Sequence, residues 1–231
     1  MAIKLTSTKE SALVNGIKIL TYGQAGAGKT SLCATTGEKT IIISAESGLL
    51  SLRGHDIAVL EVSSIADVHE AYAYVTSDAG KDFRWVCLDS ISEIAEVVLN
   101  YEKKNNKDPR AAYGALSEQM QDLLRAFRDL PGKNVFMSAK MASVKDDMTG
   151  AMLYGPSMPG AKLGQGIPYL FDEVFVLRAE KADDGVVYRT LQTGADFQYV
   201  AKDRSGALDL YEAPDLEAIA AKILSPITSK E

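Results

Sequence analysis

The chain has 231 residues, of which 46% are hydrophobic and 24% are charged, and its formal net charge is -6. These proportions are typical of a folded globular protein and exclude a disordered, collagen-like or mucin-like chain. The net negative charge argues against a surface coated with basic residues, although it leaves room for a local basic groove. No stretch approaches 18 uncharged apolar residues, so no membrane span is expected, and no signal peptide is expected at the start. Two cysteines, Cys33 and Cys87, are too few for a disulfide framework and fit a reducing cytoplasm.

Short runs rich in β-branched residues alternate with helical patterns along the chain. Strands are predicted at residues 17–22, 41–43, 57–62, 84–89 and 134–138, with further strand-like runs at 174–177, 186–191 and 198–201. Helices are predicted over 29–36, from a capping box at 64–67 to about 78–80, and over 91–98, 116–127 and 216–223. This alternation predicts an α/β fold with a mostly parallel central sheet and helices on both faces. No linker or repeat divides the sequence, so we predict one domain over residues 1–231.

Two segments interrupt this pattern. Pro109 is expected to end whatever helix reaches the lysine-rich stretch before it. From Met141 to Gly166 the chain is rich in glycine, proline and methionine and shows no clear period. That composition predicts a long irregular loop, and loops of this length are usually functional or mobile.

Residues 23–30 match the pattern G-x-x-x-x-G-K-[ST] in full, between a predicted strand and a predicted helix. Glycines let backbone N–H groups turn inward around a β-phosphate, and the start of the helix adds partial positive charge. Lys29 can reach the β- and γ-phosphates of ATP, and the Thr30 hydroxyl can bind Mg²⁺. The alternative is a glycine-rich turn without a ligand. The predicted nucleotide-binding residues of this phosphate loop are Gly23, Gln24, Ala25, Gly26, Ala27, Gly28, Lys29, Thr30 and Ser31.

Two acidic residues follow predicted strands. Asp89 ends the apolar strand WVCLD, where a carboxylate lies beside the phosphate loop and can hold Mg²⁺ through water. Alternatively, Asp89 or Ser90 caps the next helix, and both roles can hold together. Glu46 lies three residues beyond the strand at 41–43, where a carboxylate can polarise a water in line with the γ-phosphate. Its alternative is an exposed glutamate in a turn.

The segments GQAGAGKT, IIISAESG, WVCLDS and NVFMSAK, in that order, resemble the RecA-like branch of P-loop ATPases. They resemble in particular phage-encoded ATPases that act as compact RecA-type recombination or single-strand-annealing proteins. Residues 110–114 and 201–206 resemble the same phage group. The resemblance covers about residues 14–212, which leaves a short helical tail over 213–231. It implies a RecA-like P-loop NTPase fold with Glu46 as the catalytic glutamate.

The resemblance also implies a polar sensor, usually Gln or His, after the strand that follows Asp89. Here the sequence at that position is Ser138-Ala139-Lys140, so the lysine departs from the family pattern. Two interpretations stay open: Ser138 contributes to nucleotide binding, or Lys140 contacts phosphate directly.

Lys202 and Arg204 stand where RecA-like rings and filaments carry fingers that act on a neighbouring subunit's nucleotide. Cations are needed there because charge on the γ-phosphoryl oxygens must be stabilised, and arginine offers a planar fork for it. The alternative is a solvated cluster of charges around Asp203.

Two segments are candidates for a path of single-stranded DNA. Lys103, Lys104, Lys107 and Arg110 form a basic stretch followed by Tyr113, and the segment 141–166 carries Lys145, Tyr154 and Lys162. Cations beside aromatic rings are typical of single-strand binders, in which bases stack and phosphates are neutralised. Acidic neighbours dilute the pattern, and a charged run is also typical of a solvated face.

These features predict a cytoplasmic Mg-ATP-dependent ATPase that self-assembles into a ring or filament and couples ATP to single-stranded DNA binding in phage-type recombination. A single-strand-binding protein is a possible partner. The alternative is a P-loop kinase or regulatory ATPase that acts on protein or a small molecule. A kinase would normally carry an arginine-rich lid, and residues 141–166 contain no arginine. A third hypothesis is an interaction module that binds nucleotide without turning it over.

Overall fold

The computed structural model describes residues 5, 7, 16–46, 48–146 and 148–225. Their strands are β1 (Lys18–Gly23), β2 (Thr40–Ser44), β3 (Ala58–Glu61), β4 (Trp85–Asp89), β5 (Asn134–Lys145), β6 (Met152–Ser157), β7 (Glu173–Lys181), β8 (Val187–Gln192), β9 (Lys202–Asp203) and β10 (Tyr211–Glu212). The α-helices are α1 (Ile65–Thr76), α2 (Ile91–Asn105), α3 (Pro109–Arg128), α4 (Ala161–Gly166) and α5 (Leu216–Leu224). Three 3₁₀ helices are η1 (Thr30–Thr35), η2 (Leu49–Leu52) and η3 (Ile167–Leu170).

The strands form one sheet in the order β10-β8-β7-β1-β5-β4-β2-β3, with β6 added to β5 and β9 added to β7. The six strands β1, β2, β3, β4, β5 and β7 run parallel, while β6, β8, β9 and β10 pair antiparallel. Every residue of β1, β2 and β4 is buried, as expected of parallel strands covered on both faces. The predicted α/β fold with a mostly parallel sheet is confirmed.

Two apolar clusters cover the two faces of the sheet. On one face, α1, α2 and α3 contribute buried residues such as Val68, Ile94 and Leu124. On the other face, η1, η2 and α5 contribute residues such as Leu32 and Ile219. Each parallel strand alternates its side chains between these clusters, so the whole central sheet is fixed in register. Among the described residues, no helix is long and apolar enough to cross a membrane.

Helix boundaries follow local capping. Ser64 accepts a hydrogen bond from the backbone of Asp67, whose carboxylate accepts the backbone N–H of Ser64, so the predicted capping box is confirmed at the start of α1. Pro109 begins α3 instead of ending a helix, because the first helical position needs no N–H donor. The preceding helix already ends at Asn105.

The prediction of an irregular loop over 141–166 is wrong. β5 continues to Lys145 and forms a hairpin with β6, and α4 follows. The outer half of β5 is largely exposed, so the buried-and-exposed alternation that reveals a strand is absent there. Asp146 closes the turn by accepting hydrogen bonds from the backbone of Met148 and Thr149. The strand predicted at 198–201 is also wrong, since the short strand β9 begins at Lys202.

Candidate nucleotide-binding site

The carboxyl ends of the parallel strands meet at one edge of the sheet and line a cleft. β1 ends at Gly23, β2 at Ser44 and β4 at Asp89, while Lys140 of β5 lies beside Gly23 in register. The cleft has a volume of about 600 Å³, which is in the usual range for a small-molecule site. It is lined by Gly23, Gln24, Ala25, Gly26, Gly28, Lys29, Thr30, Ser31, Glu46, Ser51, Asp89, Lys140, Met141 and Arg189.

The phosphate loop has a backbone that only glycine readily adopts. Gly26 and Gly28 have φ angles of 77° and 104°, in the left-handed region that disfavours side chains. At Gly23, a Cβ atom would lie 2.8 Å from the carbonyl oxygen of Leu177 on β7, so a side chain is excluded there as well. The loop can therefore lie close to β7 and turn its backbone N–H groups toward a ligand.

Lys29 folds back over this loop. Its Nζ atom donates to the carbonyl oxygens of Gly23 and Gln24, at 3.0 Å each. Burial lowers the pKa of Lys29 below its usual value, and the carboxylates of Glu46 and Asp89 oppose that shift. A partly desolvated ammonium group of this kind gains stabilisation from an added anion such as a phosphate.

Asp89 is 2% exposed and lies between two hydroxyl groups. Thr30 Oγ1 donates to its Oδ2 atom at 2.7 Å, and Ser138 Oγ donates to its Oδ1 atom. A carboxylate beside a threonine hydroxyl is the hard-oxygen set that Mg²⁺ prefers, so these residues fit that ion. Ser138 is fully buried and its hydroxyl is committed to Asp89.

Glu46 lies in the same cleft, where its Oε1 atom accepts a hydrogen bond from Ser90 Oγ at 2.6 Å. Ser90 is also the N-cap of α2, since its Oγ atom accepts the backbone N–H of Glu93. Asp89 bonds to Thr30 and Ser138 instead of the helix end. The capping alternative therefore applies to Ser90, and the Asp89 carboxylate faces the phosphate loop.

Lys140 connects the cleft to the β5–β6 hairpin. Its ammonium group pairs with Glu93 on α2, and that hydrogen bond raises the pKa of Lys140. Its backbone N–H donates to Ser92 Oγ at 2.9 Å, and Ser92 Oγ donates to the carbonyl oxygen of Ser157 at 2.7 Å. Because Lys140 and Ser157 are partners across the hairpin, Ser92 bonds to both strands where the hairpin begins.

Arg189 on β8 was not predicted from the sequence. Its Nε atom donates to the carbonyl oxygen of Ala27 at 2.9 Å, across 162 positions of sequence, and its side chain lines the cleft. β8 is exposed around Arg189, so nothing in the local pattern distinguishes this arginine from a solvated one.

The structure does not bring Lys202 and Arg204 to the cleft of their own chain. Asp203 of β9 pairs with Glu173, which lies beside Ile19, whereas the phosphate loop begins at Gly23, four strand residues or about 13 Å further on. Lys202 Nζ donates to the carbonyl oxygen of Pro168 at 2.8 Å. Arg204 Nη1 pairs with Asp172 at 3.0 Å.

The two segments proposed for DNA adjoin each other. Lys103 Nζ lies 5.8 Å from the centre of the Tyr113 ring. A Cβ atom on Gly160, just after the hairpin, would lie 3.6 Å from Tyr113. The hairpin turn is open to solvent, with Met148 97% exposed. The basic stretch at 103–113 and the segment after β6 therefore belong to one continuous surface.

The family model described as an AAA domain matches residues 15–205. The chain belongs to this AAA domain family. The AAA-domain protein has a phosphate loop and a mostly parallel sheet, as expected of a P-loop nucleotide-binding fold. A comparison with curated proteins finds no match.

Solved structures similar to the AAA-domain protein include an ATPase and a recombinase. One is a prototypical ATPase from the type III secretion system of pathogenic bacteria, with 15% identity, a TM-score of 0.49 and coverage of 72% of this chain and 53% of that chain. The other is the RadB recombinase, with 14% identity, a TM-score of 0.43 and coverage of 80% and 94%. The AAA-domain protein thus spans about half the length of the type III secretion ATPase.

Proposed function

We propose that this AAA-domain protein binds and hydrolyses Mg-ATP, assembles with copies of itself, and uses the nucleotide to control its binding of single-stranded DNA in phage-type recombination or annealing. The observation that carries the proposal is the Ser92 bridge between the cleft and the hairpin. It supports coupling because the helix that follows Asp89 and the base of the exposed hairpin share one buried hydroxyl group.

Within the cleft, each residue has a proposed role. The phosphate loop and Lys29 bind the phosphates, and Arg189 holds the loop at Ala27. Thr30 and Asp89 would hold Mg²⁺, which would neutralise phosphate charge. Glu46, oriented by Ser90, accepts the proton of the attacking water.

Lys140 is the proposed γ-phosphate sensor. It lies in the cleft with its ammonium group on Glu93, so an added phosphate would compete with that carboxylate for the same cation. The exchange would act directly on β5, because Lys140 is the residue at which the hairpin leaves the sheet core. Ser138 supports the site indirectly through Asp89.

Arg204 and Lys202 are proposed to stabilise the transition state on a neighbouring subunit. Their place at the opposite edge of the sheet from the phosphate loop supports action between chains and argues against action within one chain. Assembly would then be required for full hydrolysis, since the site of an isolated chain would lack these cations.

The proposed DNA surface comprises the β5–β6 hairpin and the adjoining Lys103–Tyr113 contact. The exposed cations of this surface suit the phosphates of DNA, and the Tyr113 ring suits a stacked base.

The deciding experiment measures ATP hydrolysis by the full chain with and without a thymidine oligonucleotide, at two salt concentrations. We expect hydrolysis to rise with DNA, DNA affinity to be higher with ATP than with ADP, and both effects to weaken with salt. Lys29→Ala, which removes a phosphate-binding cation, is the control and should lose nucleotide binding. If the rate of hydrolysis is the same with and without DNA, and no DNA binds at low salt, the result would favour a regulatory ATPase or kinase.

A further inference from the structure

Two acidic side chains, the buried Glu173 and the half-buried Asp203, lie beneath the turn that carries Arg204. β9 pairs antiparallel with the start of β7, so that Asp203 lies opposite Glu173. The Asp203 carboxylate accepts the backbone N–H groups of Ser205, Gly206 and Leu208, at 2.7, 3.1 and 3.1 Å. This one carboxylate therefore organises the turn from which the Arg204 side chain projects.

Glu173 is 2% exposed, and its Oε2 atom is buried with no hydrogen-bond partner among the described residues. An ionised carboxylate in such a position would be costly, whereas the neutral acid can donate a hydrogen bond to the Asp203 carboxylate. Burial, together with the nearby charges of Asp203 and Asp172, raises the pKa of Glu173 to about 8. Burial opposes ionisation of Asp203, but hydrogen bonds from Ser205, Leu208 and Gly206 lower its pKa.

The charged groups around the pair are unevenly distributed. Asp172 adds a second negative charge on the β7 side, and it is already paired with Arg204. Lys202 Nζ donates to the carbonyl oxygen of Pro168, and its positive charge also interacts with Glu173 and Asp172. The negative charge of Asp172 interacts with Lys18 of β1 and Arg128 of α3. The negative charge of Asp129 also favours the charged form of both cations. Among the described residues, Lys18, Arg128 and Lys202 form no ion pair with Glu173 or Asp203, so the Glu173–Asp203 contact depends on one shared proton.

We propose that Glu173 is a positioning residue whose neutral carboxyl group donates to Asp203 and so fixes the turn that presents Arg204 to a neighbouring subunit. This inference rests on the finger role proposed above for Arg204. When Glu173 loses its proton, two carboxylates face each other in a buried place, and Asp203 must leave the turn or Glu173 must move away. Arg204 then loses its fixed position.

The direction of the pH effect follows from the raised pKa. The neutral Glu173 stabilises the fold fully below the ordinary glutamate range, and this contribution is lost as pH rises toward about 8. The turn should therefore be ordered at neutral pH and loosened in mild alkali.

The test compares the wild type with Glu173→Gln, whose amide donates to Asp203 at every pH, and Glu173→Ala, which has no donor. Glu212→Gln is the matched control, because Glu212 is also buried but pairs with Lys222 on α5, at the outer strand of the sheet. The first readout is the hydrogen-exchange protection of the amides of Ser205, Gly206 and Leu208, which requires neither ATP nor assembly. The second is ATP hydrolysis by the assembled protein across pH.

In the wild type and Glu212→Gln, protection and hydrolysis should both fall about tenfold or more between about pH 7 and about pH 9.5. In Glu173→Gln, amide protection and hydrolysis should each change by less than about twofold over that pH range. In Glu173→Ala, both should be lost at every pH in the range. Identical pH profiles for the wild type and Glu173→Gln, or wild-type protection that does not change with pH, would overturn the proposal. If Arg204→Ala hydrolyses ATP normally, the finger role fails instead, and the exchange measurement still decides the role of Glu173.

Discussion

Glu46 and Asp89 share one cleft but have different surroundings. Asp89 is enclosed by the hydroxyl groups of Thr30 and Ser138, which suits a residue that holds a metal ion. Glu46 lies in the open part of the cleft and is oriented by Ser90. This difference supports a division of roles in which Glu46 is the general base.

Glu46→Gln keeps the size and the Ser90 contact of the side chain but cannot accept a proton. We expect ATP binding to be retained and hydrolysis to fall by at least ~10²-fold, the low end for loss of a general base. Nucleotide affinity and steady-state turnover, measured separately, check this. Glu61→Gln, at the end of neighbouring β3, is the control and should hydrolyse ATP normally. Normal turnover in Glu46→Gln would mean that another residue is the general base, and Glu93 would be the next candidate.

The residues of the cleft differ in how far the sequence predicts them. Lys29 and Glu46 lie shortly after buried strands and Asp89 ends one, and parallel strands bring their carboxyl ends to one edge. Arg189 has no such marker, because it reaches Ala27 from an exposed antiparallel strand far along the chain. The Glu173–Asp203 contact is likewise absent from any local pattern, since it arises only when β9 pairs with β7.

At the scale of elements, the hairpin of β5 and β6 shows where a sequence pattern fails. The inner half of β5 is buried and was predicted as a strand, whereas the outer half extends from Lys140 to Lys145, about 17 Å, into solvent. A strand exposed on both faces has no apolar alternation, so its sequence is indistinguishable from that of a loop. Its order comes from pairing with β6 across the hairpin and from Ser92, which lies 48 residues before Lys140 in the sequence.

Ser92→Ala tests whether this contact couples the hairpin to the cleft. The substitution leaves the Lys140 N–H and the Ser157 carbonyl without their buried partner, so we expect a loss of about 1–3 kcal/mol in the free energy of unfolding. We also expect the difference in DNA affinity between the ATP and ADP states to shrink. Urea denaturation and oligonucleotide binding measure the two effects. Ser77→Ala, which removes an exposed hydroxyl at the end of α1, should change neither.

At the scale of the whole molecule, the alternation of strands and helices was sufficient to predict the sheet and its two covered faces. The alternation alone does not predict where the antiparallel strands join, and β9 decides the position of Lys202 and Arg204. That position separates the proposed finger from the phosphate loop of the same chain. A functional site that needs both must therefore be built from two chains.

Mixing two inactive variants tests this arrangement. Arg204→Ala keeps its own cleft but offers no finger, so in assemblies it should bind ATP normally and lose ~10³–10⁵ in rate. Lys29→Ala loses its own nucleotide site but still carries an intact Arg204. When the two are mixed at concentrations that support assembly, the Arg204→Ala cleft receives the finger of a Lys29→Ala neighbour, and hydrolysis should recover. The control is a mixture of the double variant Lys29→Ala/Arg204→Ala with Arg204→Ala. This mixture should stay inactive, because no chain in it carries Arg204. Subunit exchange must be followed in parallel, by energy transfer between labelled chains. If the chains exchange and the mixture is no more active than either variant alone, Arg204 does not act between subunits.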